Sequence, residues 1–382
     1  MQPHFQSKLP EVGTTIFSVM SALANKHNAI NLSQGFPNFD APTELRARIQ
    51  YHLQNQKNQY VPMGGLPLLC ERLAEKIEFM YGRSVDPLSE ITITAGATQA
   101  LFTAITTFVK KGDEVILIEP AYDCYRPAIA LSGGIPIAYE LTAPDYRIDW
   151  EKMRQLITTH TRMIIINTPH NPTGTILTAD DLAALTALVT DTNILVLSDE
   201  VYEHLIYDEV AHQSVLRYDA LWERCMAVYS FGKTFHATGW KVGYMVASQR
   251  LMTEFRKVHQ FNVFCVSSFV QYGIADYLET RASYLELPHF YQQKRDFFAQ
   301  AMQHSRLRPI ASAGTYYQLF DYTDVSEEPD VAFAKRLTTE YGVAAIPVSV
   351  FYSSGRDQHV IRLCYAKTAA TLAKAGELLQ RV

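Results

Sequence analysis

Between residues 91 and 247 the chain alternates short, nearly uninterrupted apolar runs with helix-like stretches. The runs cover residues 91–95, 114–119, 135–140, 163–167, 194–199, 226–230 and 244–247. Helical patterns at 97–110, 150–157 and 179–190 separate several of them. A strand that is apolar throughout must be covered on both faces, and strands joined through helices lie mostly parallel. The pattern predicts an α/β fold, with a large domain built on a mostly parallel seven-stranded sheet covered by helices. From residue 250 to 302 the pattern turns helical, with a break expected near Pro288. A strand at 314–320, a helix near 331–341, a strand at 360–364 and a terminal helix from Ala369 predict a smaller α+β domain. The expected division is 1–44 as an N-terminal arm and part of the small domain, 45–287 as the large domain, and 288–382 as the small domain.

Composition narrows the function classes. Hydrophobic residues make up 48% of the 382 positions, enough to bury a core of this size. Lys and Arg number 34 against 39 Asp and Glu, a net charge of −5, so there is no electrostatic case for nucleic acid or an anionic membrane. The uncharged run 91–109 holds Gly96 and six threonines and starts like a strand, which is a poor membrane span. Five cysteines, with no C-x-x-C, argue against a disulfide scaffold or a thiolate metal site. No metal is expected, and a cytoplasmic location is. The first residues, MQPHFQSKLPEVG, lack the basic-then-apolar plan of a signal peptide.

Several motifs are missing. There is no G-x-G-x-x-G, H-E-x-x-H or G-x-S-x-G, and Gly232-Lys233-Thr234 lacks the first glycine of a P-loop. Five segments remain. Residues 91–99 form a strand that ends at Gly96 and opens a helix. Such a turn is usually only a connection, yet its free N–H groups can hold a phosphate. Asn167-Thr-Pro-His-Asn171-Pro-Thr-Gly174 reads alone as a tight turn, although it follows a strand end where α/β sheets place ligands. Asp199 in Ser198-Asp-Glu-Val-Tyr202 can be a helix N-cap or the partner of a buried cation. Lys233 lies among Phe231, Phe235 and Trp240, with Lys241 eight residues on. Burial would lower its pKa and make it a nucleophile. Arg362 sits in the apolar strand 360–364, where on that evidence alone it points to solvent or to a structural ion pair.

Taken together and in this order, the segments resemble the class I aminotransferases, which use pyridoxal 5′-phosphate. The stretch S-F-G-K-T-F-H-A-T-G-W-K-V-G from Ser230 resembles the family's lysine signature, and the likeness runs from Asn31-Leu-Ser-Gln-Gly35 to the last helix. E-P-A-Y-D-C-Y and V-H-Q-F-N-V-F are closest to the kynurenine aminotransferase/glutamine transaminase K branch and also match bacterial methionine aminotransferases. The resemblance implies an aspartate-aminotransferase-like fold and a homodimer with shared active sites. It implies transfer of the α-amino group of a neutral sulfur-containing or aromatic amino acid to a 2-oxo acid by a ping-pong mechanism. Methionine is favoured as donor, with phenylalanine and histidine also expected. The alternatives are a kynurenine or glutamine transaminase, a cysteine-conjugate β-lyase and, remotely, a non-catalytic regulator.

The same resemblance assigns residues. Lys233 would link to the cofactor's aldehyde and, once displaced, carry the proton taken from the substrate Cα. Asp199 would pair with the pyridine N–H, and Asn171 and Tyr202 would bind the ring oxygen. The N–H groups of Ala97 and Thr98 after Gly96, the Ser230 hydroxyl and Lys241 would hold the phosphate. Lys241 stands where many members carry Arg, a point charge in place of a fork. Tyr122 would stack on the ring, and Tyr60 would reach the phosphate from the second subunit. Arg362 would clamp the substrate carboxylate with help from the Gly35 N–H and Asn171. Phe17 and Phe264 would line an aromatic side-chain pocket.

Overall fold

The computed structural model describes residue 4 and residues 6–382. Its strands are β1 (Ile30–Asn31), β2 (Ile91–Thr94), β3 (Glu114–Glu119), β4 (Ile135–Glu140), β5 (Thr161–Asn167), β6 (Leu195–Asp199), β7 (Cys225–Ser230), β8 (Gly243–Ala247), β9 (Arg308–Pro309), β10 (Tyr317–Asp321), β11 (Val343–Ala344), β12 (Ile346–Pro347) and β13 (Val360–Cys364). Seven of them form one sheet in the order β2-β8-β7-β6-β5-β3-β4. The seven apolar runs thus became seven strands, with ends moved by a few residues at most.

Alternation explains why the sheet is covered twice. Ile164 and Ile166 of β5 join one core cluster, while Met163 and Ile165 join the other. The second cluster also takes Ala100, Leu101, Ala104 and Ile105 from the helix Ala97–Phe108. β3 to β7 run parallel, whereas β8 is antiparallel to both β7 and β2. The reason is the short β7–β8 connection, whose only α-helix is the four-residue Phe231–Thr234. The twelve residues 231–242 carry no helix long enough to cross the sheet as a parallel connection does. This reversal gathers the ends of β2, β3, β5, β6 and β7 and the start of β8 at one edge of the sheet.

The remaining strands form an antiparallel sheet β12-β13-β10-β9 and a small parallel pair, β1 with β11. Ile30 pairs with Val343, so the N-terminal segment joins the C-terminal part of the chain. These two-residue strands are too short to show any periodicity. The helical stretch after β8 comprises Gln249–Asn262, Ser268–Tyr277, Ala282–Leu285 and Leu287–Ala301. A break does fall near Pro288, at Glu286 between the last two of these helices. Pro288 sits in the first turn of the last helix, where a missing N–H costs nothing, and the interruptions fall before it. No helix among the described residues is long and apolar enough to cross a membrane.

Candidate active site

A cavity of about 270 Å³ opens at the gathered strand ends. It is lined by Phe17, Gly35, Gly96, Ala97, Thr98, Tyr122, Asn171, Asp199, Tyr202, Ser230, Lys233, Lys241 and Arg362. Tyr60 and Phe264 are not among its lining residues. Their rings pack edge to face at 5.3 Å and stay 81% and 40% exposed, a surface pair outside this chain's own cavity.

One end of the cavity is built for an anion. The helix Ala97–Phe108 starts without a side-chain cap, so its first N–H groups are free. Lys241 bends over this start: its Nζ and Cε lie 3.4 Å from the position of a Cβ on Gly96. Lys241 has no hydrogen bond or ion pair among the described residues. Gly243 lets β8 come this close, because a Cβ there would sit 2.5 Å from the Tyr229 carbonyl oxygen and 3.0 Å from the Ala97 nitrogen. A helix dipole, free N–H groups and a free ammonium converge on one spot, the donor set a phosphate requires.

Two ionisable groups face the middle of the cavity. Asp199, at the end of β6, accepts from the Tyr125 hydroxyl at 2.6 Å and from the Val201 N–H at 3.3 Å. It is only 4% exposed, and burial pushes its carboxyl pKa up to about 6. Lys233 follows β7 and donates to the Gly35 carbonyl at 3.2 Å and the Tyr316 hydroxyl at 3.0 Å. Burial pulls its amine down to about 8. The same low-dielectric surroundings thus move an acid and a base toward neutrality from opposite sides. Asp199 has no cation within ion-pair distance among the described residues, which fits a cationic ring nitrogen.

Arg362 is where strand patterning misleads. It points neither to solvent nor into a structural ion pair. It is fully buried in the middle of β13 and has no carboxylate within 4.0 Å among the described residues. Nη1 donates to Asn171 Oδ1 at 2.7 Å, Nη2 donates to the Ser33 carbonyl at 3.2 Å, and Nε has no partner. The guanidinium lies 3.9 Å from the Tyr317 ring centre and 5.5 Å from those of Phe17 and Phe351. A buried cation without an anion calls for one from outside.

Behind the cavity a polar network fixes the turn that carries Asp199 and Tyr202. Glu200, fully buried, accepts from Ser198 Oγ at 2.8 Å, the Val215 N–H at 3.0 Å and Tyr229 Oη at 3.0 Å. Lys76 Nζ meets Glu203 at 2.6 Å. Burial opposes the Glu203 charge, but Lys76 and His204 outweigh it and hold the carboxyl well below its usual range.

Residues 27–379 match the family described as aminotransferase class I and II. The chain belongs to the class I and II aminotransferases. Within them it is 50% identical to the methionine aminotransferase of Escherichia coli (strain K12) over 378 residues, covering 99% of this chain and 98% of that one. It is 32% identical to human kynurenine–oxoglutarate transaminase 1 over 394 residues, 94% of this chain and 93% of that one. The crystal structure of the Escherichia coli protein YbdL, described as identifying a methionine aminotransferase function, superposes with a TM-score of 0.98 at 50% identity and covers 100% of both chains.

In this aminotransferase Tyr316 and Tyr317, within the strand expected at 314–320, are site residues that no sequence motif marks. Tyr317 lines the cavity, carries the Arg362 guanidinium on its ring and hydrogen-bonds Tyr202 hydroxyl to hydroxyl at 3.1 Å. Gly35 passes so close that a Cβ on it would overlap the Tyr317 hydroxyl. A Tyr-Tyr pair at a strand start, next to a glycine two residues earlier, was the available clue.

Proposed function

We propose that this aminotransferase moves the α-amino group of a neutral sulfur-containing or aromatic amino acid, methionine first and phenylalanine and histidine after it, to a 2-oxo acid with pyridoxal 5′-phosphate as cofactor. The observation that carries the reading is the convergence of an anion cradle, a cation-less buried aspartate, a near-neutral lysine and an anion-less buried arginine on one cavity. The donor chemistry fits the cofactor group by group. The Ala97 and Thr98 N–H groups, Ser230 and Lys241 would hold its phosphate, Asp199 its ring nitrogen, Asn171 and Tyr202 its ring oxygen, and Tyr122 its ring face. Lys233 would hold it covalently. When bound, it supplies an electron sink for the charge that develops at the substrate Cα.

The chain's own residues do the rest. Arg362 binds the substrate carboxylate as a planar fork, which fixes the direction of the Cα–H bond. Asn171 Oδ1 and the Ser33 carbonyl keep that fork oriented. Lys233 Nζ removes the Cα proton, and an amine pKa of about 8 leaves part of it neutral at physiological pH. Asp199 works in buried surroundings where its charge is felt at full strength. Phe17, Phe36 and Tyr317 in the cavity lining favour an apolar, polarisable side chain, and a thioether suits them. The 50% likeness to a methionine aminotransferase, against 32% to a kynurenine transaminase, supports the same choice. The exposed Tyr60–Phe264 pair supports a homodimer in which each chain completes its partner's site. Five free cysteines agree with a cytoplasmic location.

Borohydride reduction of cofactor-loaded protein, followed by peptide mass mapping, should place the adduct on Lys233. An adduct on another peptide, or none, defeats the assignment. A donor panel read as kcat/KM with one oxo acid should put methionine ahead of phenylalanine, histidine, glutamine and kynurenine. A panel led by kynurenine or glutamine defeats the substrate reading.

A further inference from the structure

Lys233 Nζ, Tyr316 Oη and the Gly35 carbonyl oxygen form a closed triangle. Lys233 donates to Tyr316 at 3.0 Å and to Gly35 at 3.2 Å, while Tyr316 donates to Gly35 at 2.6 Å. A phenol has one hydrogen to give. The Gly35 carbonyl takes it, so the lone pairs of Tyr316 Oη are left for the lysine. We propose that Tyr316 is the positioning residue for Lys233: its oxygen, oriented by the Gly35 carbonyl, is the rest on which the free amine sits while it carries the proton taken from the substrate. This inference rests on the proposed role of Lys233 as proton carrier.

The surroundings suit that task. Tyr316 is fully buried, and its ring packs between Tyr202 at 5.2 Å and Tyr291 at 5.7 Å, which holds the phenol in place. Burial also pushes the phenol pKa well above its ordinary value. Tyr316 therefore accepts from the ammonium without competing for its proton. The other corner is equally fixed. Lys367, 3% exposed, donates to the Phe36 carbonyl at 2.7 Å and the Gln34 carbonyl at 3.4 Å, on either side of Gly35. In the proton step the substrate Cα–H bond breaks and an N–H bond forms at Lys233 Nζ. The electron pair stays with the substrate carbon, and the Tyr316 O–H bond is unchanged throughout.

Charged and titratable groups face the lysine from several elements: Asp199 from β6, Arg362 and Cys364 from β13, and Lys241 ahead of β8. Tyr316→Phe leaves all of them in place and removes one oxygen. The ammonium loses an acceptor, so the neutral amine is favoured and the Lys233 titration moves to lower pH.

Two measurements on the full chain test this. In cofactor-free protein, trace labelling with acetic anhydride across pH, read on the Lys233 peptide, should give a lower midpoint for Tyr316→Phe than for wild type. In the loaded enzyme, exchange of the methionine Cα–H with deuterated water should slow about tenfold or more, with KM for methionine changed by no more than about twofold. A purely structural tyrosine would shift the melting temperature and KM and leave the lysine midpoint alone. If Tyr316→Phe fails to fold, site-specific trifluorotyrosine at position 316 weakens the acceptor without removing an atom, and should shift both readouts the same way by less. A Lys233 midpoint at the wild-type value overturns the inference, whatever the turnover. Wild-type protein that forms no Lys233 adduct overturns the functional reading beneath it as well, so the two failures are distinguishable.

Discussion

Arg362→Met separates a substrate clamp from a structural cation. In the folded chain the guanidinium is fully buried without a carboxylate, at a desolvation cost of several kcal/mol. The Tyr317 ring at 3.9 Å returns about 2 kcal/mol. The hydrogen bonds to Asn171 and Ser33 return about 1 kcal/mol each. Methionine removes both sides of this balance and fills a similar space. Folding stability should therefore stay within about 2 kcal/mol of wild type. Substrate binding has no such compensation. A carboxylate that loses its buried partner loses about 3–5 kcal/mol. At about 1.4 kcal/mol per decade, that is about 10²–10⁴ in kcat/KM. The assay compares methionine with its amide, which lacks the charge, at a fixed oxo-acid concentration, beside a thermal melt. Wild type should prefer methionine by that factor, and Arg362→Met should treat the two nearly alike. A variant that keeps the preference, or whose kcat/KM for methionine stays within about threefold of wild type, refutes the clamp.

Three further outcomes follow from named contacts. Burial raises the Asp199 pKa from 3.8 to about 6, so the folded cofactor-free chain holds this proton more tightly than the unfolded one. The stability it contributes is fully present below the unfolded value and lost as pH rises through about 6, so in denaturant melts wild type should lose about 2 kcal/mol relative to Asp199→Asn between pH 4 and pH 8, about half of it above pH 5. In Gly243→Ala the new Cβ must push β8 away from the Tyr229 carbonyl and the Ala97 nitrogen, 2.5 and 3.0 Å from it. The melt should show a cost of about 1–3 kcal/mol, and a fluorescence titration should show weaker cofactor binding. Mixing inactive Lys233→Ala with Tyr60→Ala should restore part of the activity through hybrid dimers that carry one intact site, and mixtures no more active than their components would count against a shared site.

Much of the fold was readable because burial on both faces leaves a local trace. Each strand of the large sheet is a run of four to seven mostly apolar residues, and chemistry-bearing residues stand at its exits: Gly96 after β2, Asn171 after β5, Asp199 on β6, Lys233 after β7. Where no periodicity exists, nothing could be read. The β1–β11 pair joins Ile30 to Val343 through two residues a side. Pro288 marked a helix boundary, but proline serves equally to start a helix, and here it does.

The order of residue types along the chain was enough to specify an α/β sheet, its strands, the loops at their ends and the family. Direction and partnership had to come from the folded molecule. Arg362 meets Asn171 across 191 positions, Lys233 meets Gly35 across 198 and Tyr316 across 83. Strand alternation reports which face a residue is on, not which distant residue faces it. Whether Arg362 is a solvated charge or a buried cation awaiting an anion therefore depends on Tyr317, Phe17 and Phe351 closing round it. The aspartate near pH 6 and the lysine near pH 8 have the same origin: neither shift exists until separate elements pack together and exclude water from both.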